Sequence, residues 1–420
     1  MNTGATQPEW YYLLGTEMRG PVSLEQLSAL VAAQSVSPTV MIAAKGSGQW
    51  RPLGEVLNDY RTTRLSHSEL PPLPSTHSKS LLGQIGETLS HVAGTEKLEG
   101  FSLHEMFSET FKKRPAAETE EYLIVGTPKT TPKIADVETG WPKPWLFARF
   151  LLIFGGLYFG FVLTFKAFQN PNLTPGLILM GCATVPLATL ILFFELNTPR
   201  NISLYRLMVL VGFGGILSMC ISLIGYNLGN LNWLGASSAG IIEELGKLAT
   251  LIIIVRTARY KYILNGMLFG AAVGTGFAIF ESAGYAFRGL LDDFRTYGYG
   301  QYGLENQVMM YNIALRGMLA PLMHIAWTAM VGAALWRTKQ DQPIKAAHLA
   351  DPKFYRILIV AMLLHMFWNS PLQIPFFVKE IALGAVAWFI IWGLVQQGLR
   401  QVRDEQLRET RPVAVPEVPA

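Results

Sequence analysis

Cysteine is almost missing from this chain: only Cys182 and Cys220 occur in 420 residues, each inside an apolar run. Two such thiols exclude a disulfide framework and a thiolate metal cluster. Charge is scarce too, with Asp, Glu, Lys and Arg at 15% of residues and a net charge of +4. The positive residues gather in no patch that would track phosphates, which excludes nucleic acid as a partner. Met1 to Trp10 shows neither the basic start nor the apolar core of a secretory signal, so membrane insertion is expected to rest on later segments.

Apolar length is what the chain has in excess. Half of its residues are hydrophobic and mean hydropathy is +0.28, a composition of membrane proteins rather than soluble ones. From Trp145 onward, runs of the ~20 residues needed to cross hydrocarbon follow one another. Eight spans are expected, at 145–167, 174–194, 204–228, 233–255, 262–287, 313–336, 354–372 and 376–396. The expected fold class is an all-α polytopic membrane protein of about eight transmembrane helices, preceded by a small α+β module. Lys and Arg near the span ends divide unequally between the two sides. One side holds Lys143, Arg149, Arg200, Arg206, Arg256, Arg259, Lys261, Arg337, Lys339, Lys345, Lys353, Arg356, Arg400, Arg403 and Arg408, fifteen in all. The other holds Lys166, Arg288, Arg295, Arg316 and Lys379, which is five. The bias places both termini in the cytoplasm of a cell (inner) membrane protein, with the Tyr- and Gly-rich loop from Gly289 to Asn312 facing outward.

Residues 1–57 read as a soluble module. Trp10-Tyr11-Tyr12-Leu13-Leu14 is strand-like, Gly20-Pro21 makes a turn, and Ser23 with Gln26 forms a capping box. Leu24, Leu27, Leu30 and Val31 then fall at helical spacing. The Trp-Tyr-Tyr start, the Gly20-Pro21-x-Ser23 helix entry and Trp50-x-Pro52-Leu53 together resemble the bacterial GYF-like domains. The resemblance implies a peptide-recognition module in which Trp10, Tyr12 and Trp50 stack on proline-rich segments; the same aromatics can equally fill a very small core. Residues 58–141 are expected to be a linker, with Pro71-Pro72-Leu73-Pro74 extended and one short helix near 102–114, capped by Ser102 and Glu105 and stopped by Pro115. The helix carries Phe101, Leu103, Met106, Phe107 and Phe111 as its apolar set. Residues 142–398 form the transmembrane domain and 399–420 a cytoplasmic tail.

Four consecutive spans carry ionisable side chains inside their limits, where a charge costs at least ~2.5 kcal/mol and persists only for a partner, a cavity or a reaction. The fourth has Glu243, Glu244 and Lys247; the fifth, Glu281 and Tyr285; the sixth, His324 and Trp327; the seventh, His365, Trp368 and Asn369. Glu244, His324 and His365 lie eleven positions after the first residue of their expected spans, so at about 1.5 Å per residue they share one depth. Glu281 lies nearer the outer end. A stripe of small residues, Gly266, Gly270, Gly274, Ala278 and Ser282, lets a neighbouring backbone approach the fifth span. Along the fourth, Glu243 and Lys247 are four apart in the favourable order, so Lys247 is expected to neutralise Glu243 and leave Glu244 to activate water. Two chemistries fit the set. Histidines and a carboxylate can hold a divalent metal, zinc for example, with a water; or Glu243 or Glu244 can activate water alone, with histidine and Asn369 holding the oxyanion.

The order Glu243-Glu244-x-x-Lys247, Phe280-Glu281-x-x-x-Tyr285, His324 and His365-x-x-x-Asn369 resembles the PrsW family of intramembrane proteases, over roughly Trp145 to Gln397. More distantly it is similar to the CAAX-prenyl endoproteases, whose second motif supplies a histidine where this chain has Glu281 and Tyr285. The resemblance implies an endopeptidase that cleaves membrane-anchored proteins in or near the bilayer. It further implies that Glu243 and Glu244 activate water, that His324 and His365 are metal ligands or oxyanion stabilisers, and that Glu281 is a further ligand or an orienting group. A proton- or ion-coupled transporter is the competing class, since the same side chains make a proton relay, although transporters usually repeat their polar spans in two halves. A non-catalytic membrane scaffold is a third.

Overall fold

Alternation along the first strand decides the small unit's fold. β1 (Trp10–Leu14), β2 (Glu17–Val22), β3 (Met41–Ala44) and β4 (Arg51–Pro52) form an antiparallel sheet in the order β2-β1-β3-β4. Tyr12 pairs with Ile42, and both face a core with Leu24, Leu27, Val36, Leu53 and Val56. The helix α1 (Leu24–Ala32) starts at the expected capping box, with Ser23 N–H donating to Gln26 Oε1 at 2.9 Å and Gln26 N–H to Ser23 Oγ at 3.2 Å. Tyr12 is therefore a core residue at 9% exposure and offers no ring to a peptide, a correction to its expected role. Trp10 is half-buried against the same core and Trp50 is 37% exposed.

The computed structural model describes residues 10–14, 17–32, 35–37, 39–45, 47, 50–57, 81–96, 98–255, 260–297 and 307–410. The proline-rich stretch at 71–74, Arg256, Arg259, part of the loop after Gly289 and the tail beyond 410 lie outside the described residues. The chain divides into two units, Met1–Ser78 and Lys79–Ala420.

In the second unit, the stretch expected to be a linker is structured. It holds α2 (Leu81–Ala93), α3 (Leu103–Met106) and α4 (Ala116–Ile124). The helix expected near 102–114 keeps its Ser102 cap but lasts only four residues, because side chains beyond it are drawn elsewhere. Phe107 packs on Phe147, Thr110 Oγ1 donates to the Pro144 carbonyl at 3.3 Å, and Arg114 bridges Glu109 and Glu118. Met106 is buried, and the Phe101 ring lies 4.7 Å from Trp141 and 5.4 Å from Trp392.

Among the described residues, six helices are long and apolar enough to cross a bilayer. They are α5 (Leu146–Phe168), α6 (Thr174–Leu196), α7 (Leu204–Leu228), α9 (Ile263–Tyr297), the broken pair α10 (Gln307–Leu319) and α11 (His324–Lys339), and α13 (Val378–Thr410). The remaining two expected spans are α8 (Ala239–Ile254) and α12 (Pro352–Trp368), of 16 and 17 residues. At about 1.5 Å per residue they reach roughly 24–26 Å, short of a ~30 Å hydrocarbon core. Both carry residues of the polar set.

The centre of the bundle is α9, whose Gly266, Gly270 and Gly274 lie against the backbone of α11. A Cβ on Gly274 would sit 2.5 Å from the His324 carbonyl oxygen. The small-residue stripe thus serves to bring His324 in. α5 packs along α6 and turns Leu152, Ile153, Leu157, Phe159 and Leu163 outward, as a lipid-facing helix does. Its start is held by the buried Glu195, which accepts the N–H groups of Trp145, Leu146 and Phe147 at 2.7, 2.8 and 2.9 Å, satisfying amides of the first turn. The described members of the larger Lys and Arg set lie at the end where α5 and α9 begin and α8, α11 and α13 finish. The smaller set lies at the opposite end.

Candidate active site

The sixth expected span is not one helix. Pro321 lacks an N–H and its ring opposes the carbonyl four residues back, so α10 ends at Leu319, a 3-10 turn covers Ala320–Leu322, and Met323 leaves helical geometry at φ −112, ψ −129. His324 consequently opens α11 rather than lying midway along a span. Its ring is 5.0 Å from that of His365, which lies three residues before the end of α12. Trp327, one turn on, stacks on His365 with centroids 4.5 Å apart and the planes at 27°.

The polar side chains of α8, α9, α11 and α12 form one continuous chain of contacts. Lys247 Nζ donates to Glu244 Oε1 at 2.5 Å and to His324 Nδ1 at 3.1 Å, with both charged side chains at or below 1% exposure. His365 Nδ1 lies 2.9 Å from the same Glu244 oxygen. His324 Nε2 lies 2.8 Å from Glu281 Oε2, and Glu281 is in turn ion-paired to Arg316 of α10. At the other end, Glu243 Oε1 accepts from the Tyr226 hydroxyl at 2.9 Å, and Glu243 Oε2 is 3.7 Å from His365 Nε2.

One expected pairing is overturned. Lys247 neutralises Glu244 three residues before it, not Glu243 four before it, because it must turn inward to reach His324. Glu243 is left facing the more open side of the cluster. Asn369 also departs from expectation: it ends α12 through its backbone N–H to the His365 carbonyl at 3.1 Å, and its side chain bonds to no cluster member among the described residues. The structure brings Glu243, Glu244, Glu281, His324 and His365 together, and leaves Asn369 apart from them.

Proton positions follow from the partners. An ammonium only donates, so His324 Nδ1 is an acceptor and the ring proton is on Nε2, shared with Glu281. A carboxylate accepts, so His365 carries its proton on Nδ1 and turns the Nε2 lone pair toward Glu243. Glu243 Oε2 has no hydrogen-bond partner. Two acceptors 3.7 Å apart and buried, with no donor between them, define a position for a cation or for the proton of a water.

That donor set fits a divalent metal. One ligand atom each from Glu243, His324 and His365 lies within 4.8 Å of the others, and Glu244 holds the far nitrogen of His365 as an outer carboxylate does in histidine–metal sites. Glu281, expected as a further ligand or an orienting group, is engaged by Arg316 and His324, the contacts of an orienting group. To ligate through Nε2, His324 would exchange its bond to Glu281 for the metal and move its proton.

Tyr226 and Arg316 were not foreseen as members. Arg316 fell inside an expected span and the intramembrane arginine was itself a signal; Tyr226, near the end of α7, looked like an interfacial belt residue.

Residues 202–395 match the family model described as PrsW family intramembrane metalloprotease, and residues 10–57 match GYF domain 2. The first match runs from the start of the third expected span into the eighth and contains every member of the polar chain. No curated protein and no solved structure matches. With Glu243, Glu244, Glu281, His324 and His365 gathered in one buried cluster and one matched region in each structural unit, the chain carries a PrsW family region at 202–395 and an N-terminal GYF-like domain at 10–57.

Proposed function

We propose that the protein is an endopeptidase that hydrolyses peptide bonds of membrane-anchored proteins within the bilayer, with Glu243 as the carboxylate that receives the proton of the attacking water. The observation that carries this reading is the partnerless Glu243 Oε2 3.7 Å from Nε2 of His365, on the more open side of the cluster, whereas the other partnerless carboxylate oxygen, Oε2 of Glu244, belongs to a side chain already held by Lys247 and His365. Glu244 is a positioning residue: it fixes the ring of His365 and is neutralised by Lys247. Glu281, anchored by Arg316, does the same for His324. The Tyr226 hydroxyl, already donating to Glu243, is the nearest donor for an oxyanion formed beside it.

A divalent metal such as zinc would be held by Glu243, His324 and His365. When bound it would lower the pKa of its water toward neutrality and polarise the scissile carbonyl. The bilayer supplies the substrate, and the charge bias between the two ends of the bundle supports cytoplasmic termini in a cell membrane. In the small unit, Trp50 is an exposed aromatic that could take a proline-rich peptide, while Trp10 packs against the core.

The test is cleavage of single-span membrane proteins by purified protein in proteoliposomes, with bound metal measured in the same samples. His324→Ala and His365→Ala should lose cleavage, and metal if metal is present, while remaining folded. Cleavage by both at the parent rate contradicts the reading.

A further inference from the structure

The cluster is closed on every side but one. Side-chain exposure is 0% for Lys247, 1% for Glu244 and 2% for each histidine, yet 10% for Glu243 and 17% for Glu281. The opening lies between α7 and α9. Low in the bundle these helices meet backbone to backbone, for a Cβ on Gly276 would come within 2.9 Å of Gly215 Cα. Higher up, α7 leans away onto α8: Gly225 faces Ile242, and Gly246 of α8 faces Ser222. At that level Ala278 and Ser282 of the small-residue stripe stay buried, and it is another face of α9, with Phe280, Gly284 and Tyr285, that is left uncovered. Gly284, one turn beyond Glu281, has nothing within 4 Å, and Phe280 and Tyr285 are 36% and 44% exposed. Across the gap, Tyr226 is 37% exposed, and the flanking Leu223, Ile224 and Leu228 are apolar and open, as lipid-facing residues are.

Resting on the proteolytic reading, we infer that this bilayer-facing cleft is the entry for substrate, and that it takes an extended segment of a second membrane-anchored polypeptide. A helix keeps its backbone groups bonded to itself, so a scissile bond must be unwound before water can attack it. An unwound segment in lipid then needs polar partners for its exposed N–H and C=O groups. The cleft supplies them in a row that ends at Glu243: the hydroxyls of Tyr226 and Tyr285 and the carboxylate of Glu281. Arg316, paired with Glu281 and 4.3 Å above the Tyr285 ring, adds a cation beside them, and the exposed Leu223, Ile224, Leu228 and Phe280 make the rest of the wall apolar, which matches the side chains of a membrane segment.

The test is a side chain placed in the cleft where none of the protein's own atoms stands. Gly284→Trp should lower kcat/KM for a single-span reporter in proteoliposomes by at least ten-fold, mainly through KM. Gly160→Trp on lipid-facing α5, which also has nothing within 4 Å, should cleave like the parent. As a second route that does not depend on folding with a Trp, Gly284→Cys in a Cys220→Ser background can be compared before and after alkylation with a bulky maleimide. Alkylation should depress cleavage. If Gly284→Trp and the alkylated cysteine cleave at undiminished rates while Glu243→Gln is inactive, the cleft is only a lipid-covered surface and the inference falls, leaving the proteolytic reading intact. If Glu243→Gln is also fully active, the proteolytic reading falls with it.

Discussion

Replacing Lys247 by Met removes the ammonium but keeps most of the side chain in a position that is 0% exposed. At 2.5 Å and an effective dielectric of about 20, its attraction to Glu244 is about 7 kcal/mol before desolvation is charged against it. Removing one partner of such a buried pair costs about 3–5 kcal/mol, because the other charge stays behind without compensation. Lys247 also donates to His324 and lies 4.9 Å from the Phe277 ring, so no other side chain inherits its role. Unfolding in detergent, followed by denaturant titration, should therefore show Lys247→Met about 3–5 kcal/mol less stable than the parent. The double variant Lys247→Met/Glu244→Gln should recover roughly half of that loss, since the unpaired carboxylate is gone. A single variant within about 1 kcal/mol of the parent, or a double variant less stable than the single, refutes the assignment of Lys247 to Glu244.

Three further outcomes follow from the geometry. Gly274→Ala forces its Cβ against the His324 carbonyl, so α11 must shift and cleavage should fall by about 10²-fold, with a smaller effect on unfolding, since a misplacement of about 1 Å at a reacting centre costs that much. Tyr226→Phe removes the hydrogen bond to Glu243 without emptying space; a bond to a charged group contributes about 1.5–3 kcal/mol, so steady-state cleavage should slow roughly 10- to 100-fold. Glu195→Gln leaves at least one amide at the start of α5 unsatisfied, and denaturant titration should show a loss of about 1–3 kcal/mol with the cleavage rate per folded molecule unchanged.

Apolar run length was enough to place six membrane helices among the described residues, and the shared sequence depth of Glu244, His324 and His365 pointed to side chains that the structure brings together, although His324 and His365 lie at helix ends rather than at mid-span. Both are one-dimensional properties of a helix in hydrocarbon. What was not legible depended on which way a helix turns or breaks. The i,i+4 rule favoured Lys247 with Glu243, but that rule describes an isolated helix, and here His324 on α11 pulls Lys247 to the other side. The sixth span was taken as continuous, and only the packed structure shows that Pro321 breaks it and sets His324 at a helix start. Asn369 shares a helical face with His365, but α12 ends there and its side chain bonds to no cluster member among the described residues. Tyr12 alternates onto the core face of its strand, which the strand pattern allowed and the resemblance to a peptide-binding module obscured. α4 was read as linker because it is short and polar and follows Pro115, whereas α2 carries Leu81, Ile85, Leu89 and Val92 at helical spacing, a signal that the reading of 58–141 as linker passed over.

The central claim is that Glu243 carries the proton chemistry of a membrane hydrolase, and it stands or falls on Glu243→Gln. That substitution keeps size, hydrogen bonding to Tyr226 and burial while removing the base. In proteoliposomes with a single-span reporter, single-turnover cleavage by folded Glu243→Gln should drop by about 10²–10⁴-fold, the usual contribution of a general base. Cleavage within a few-fold of the parent would contradict the account.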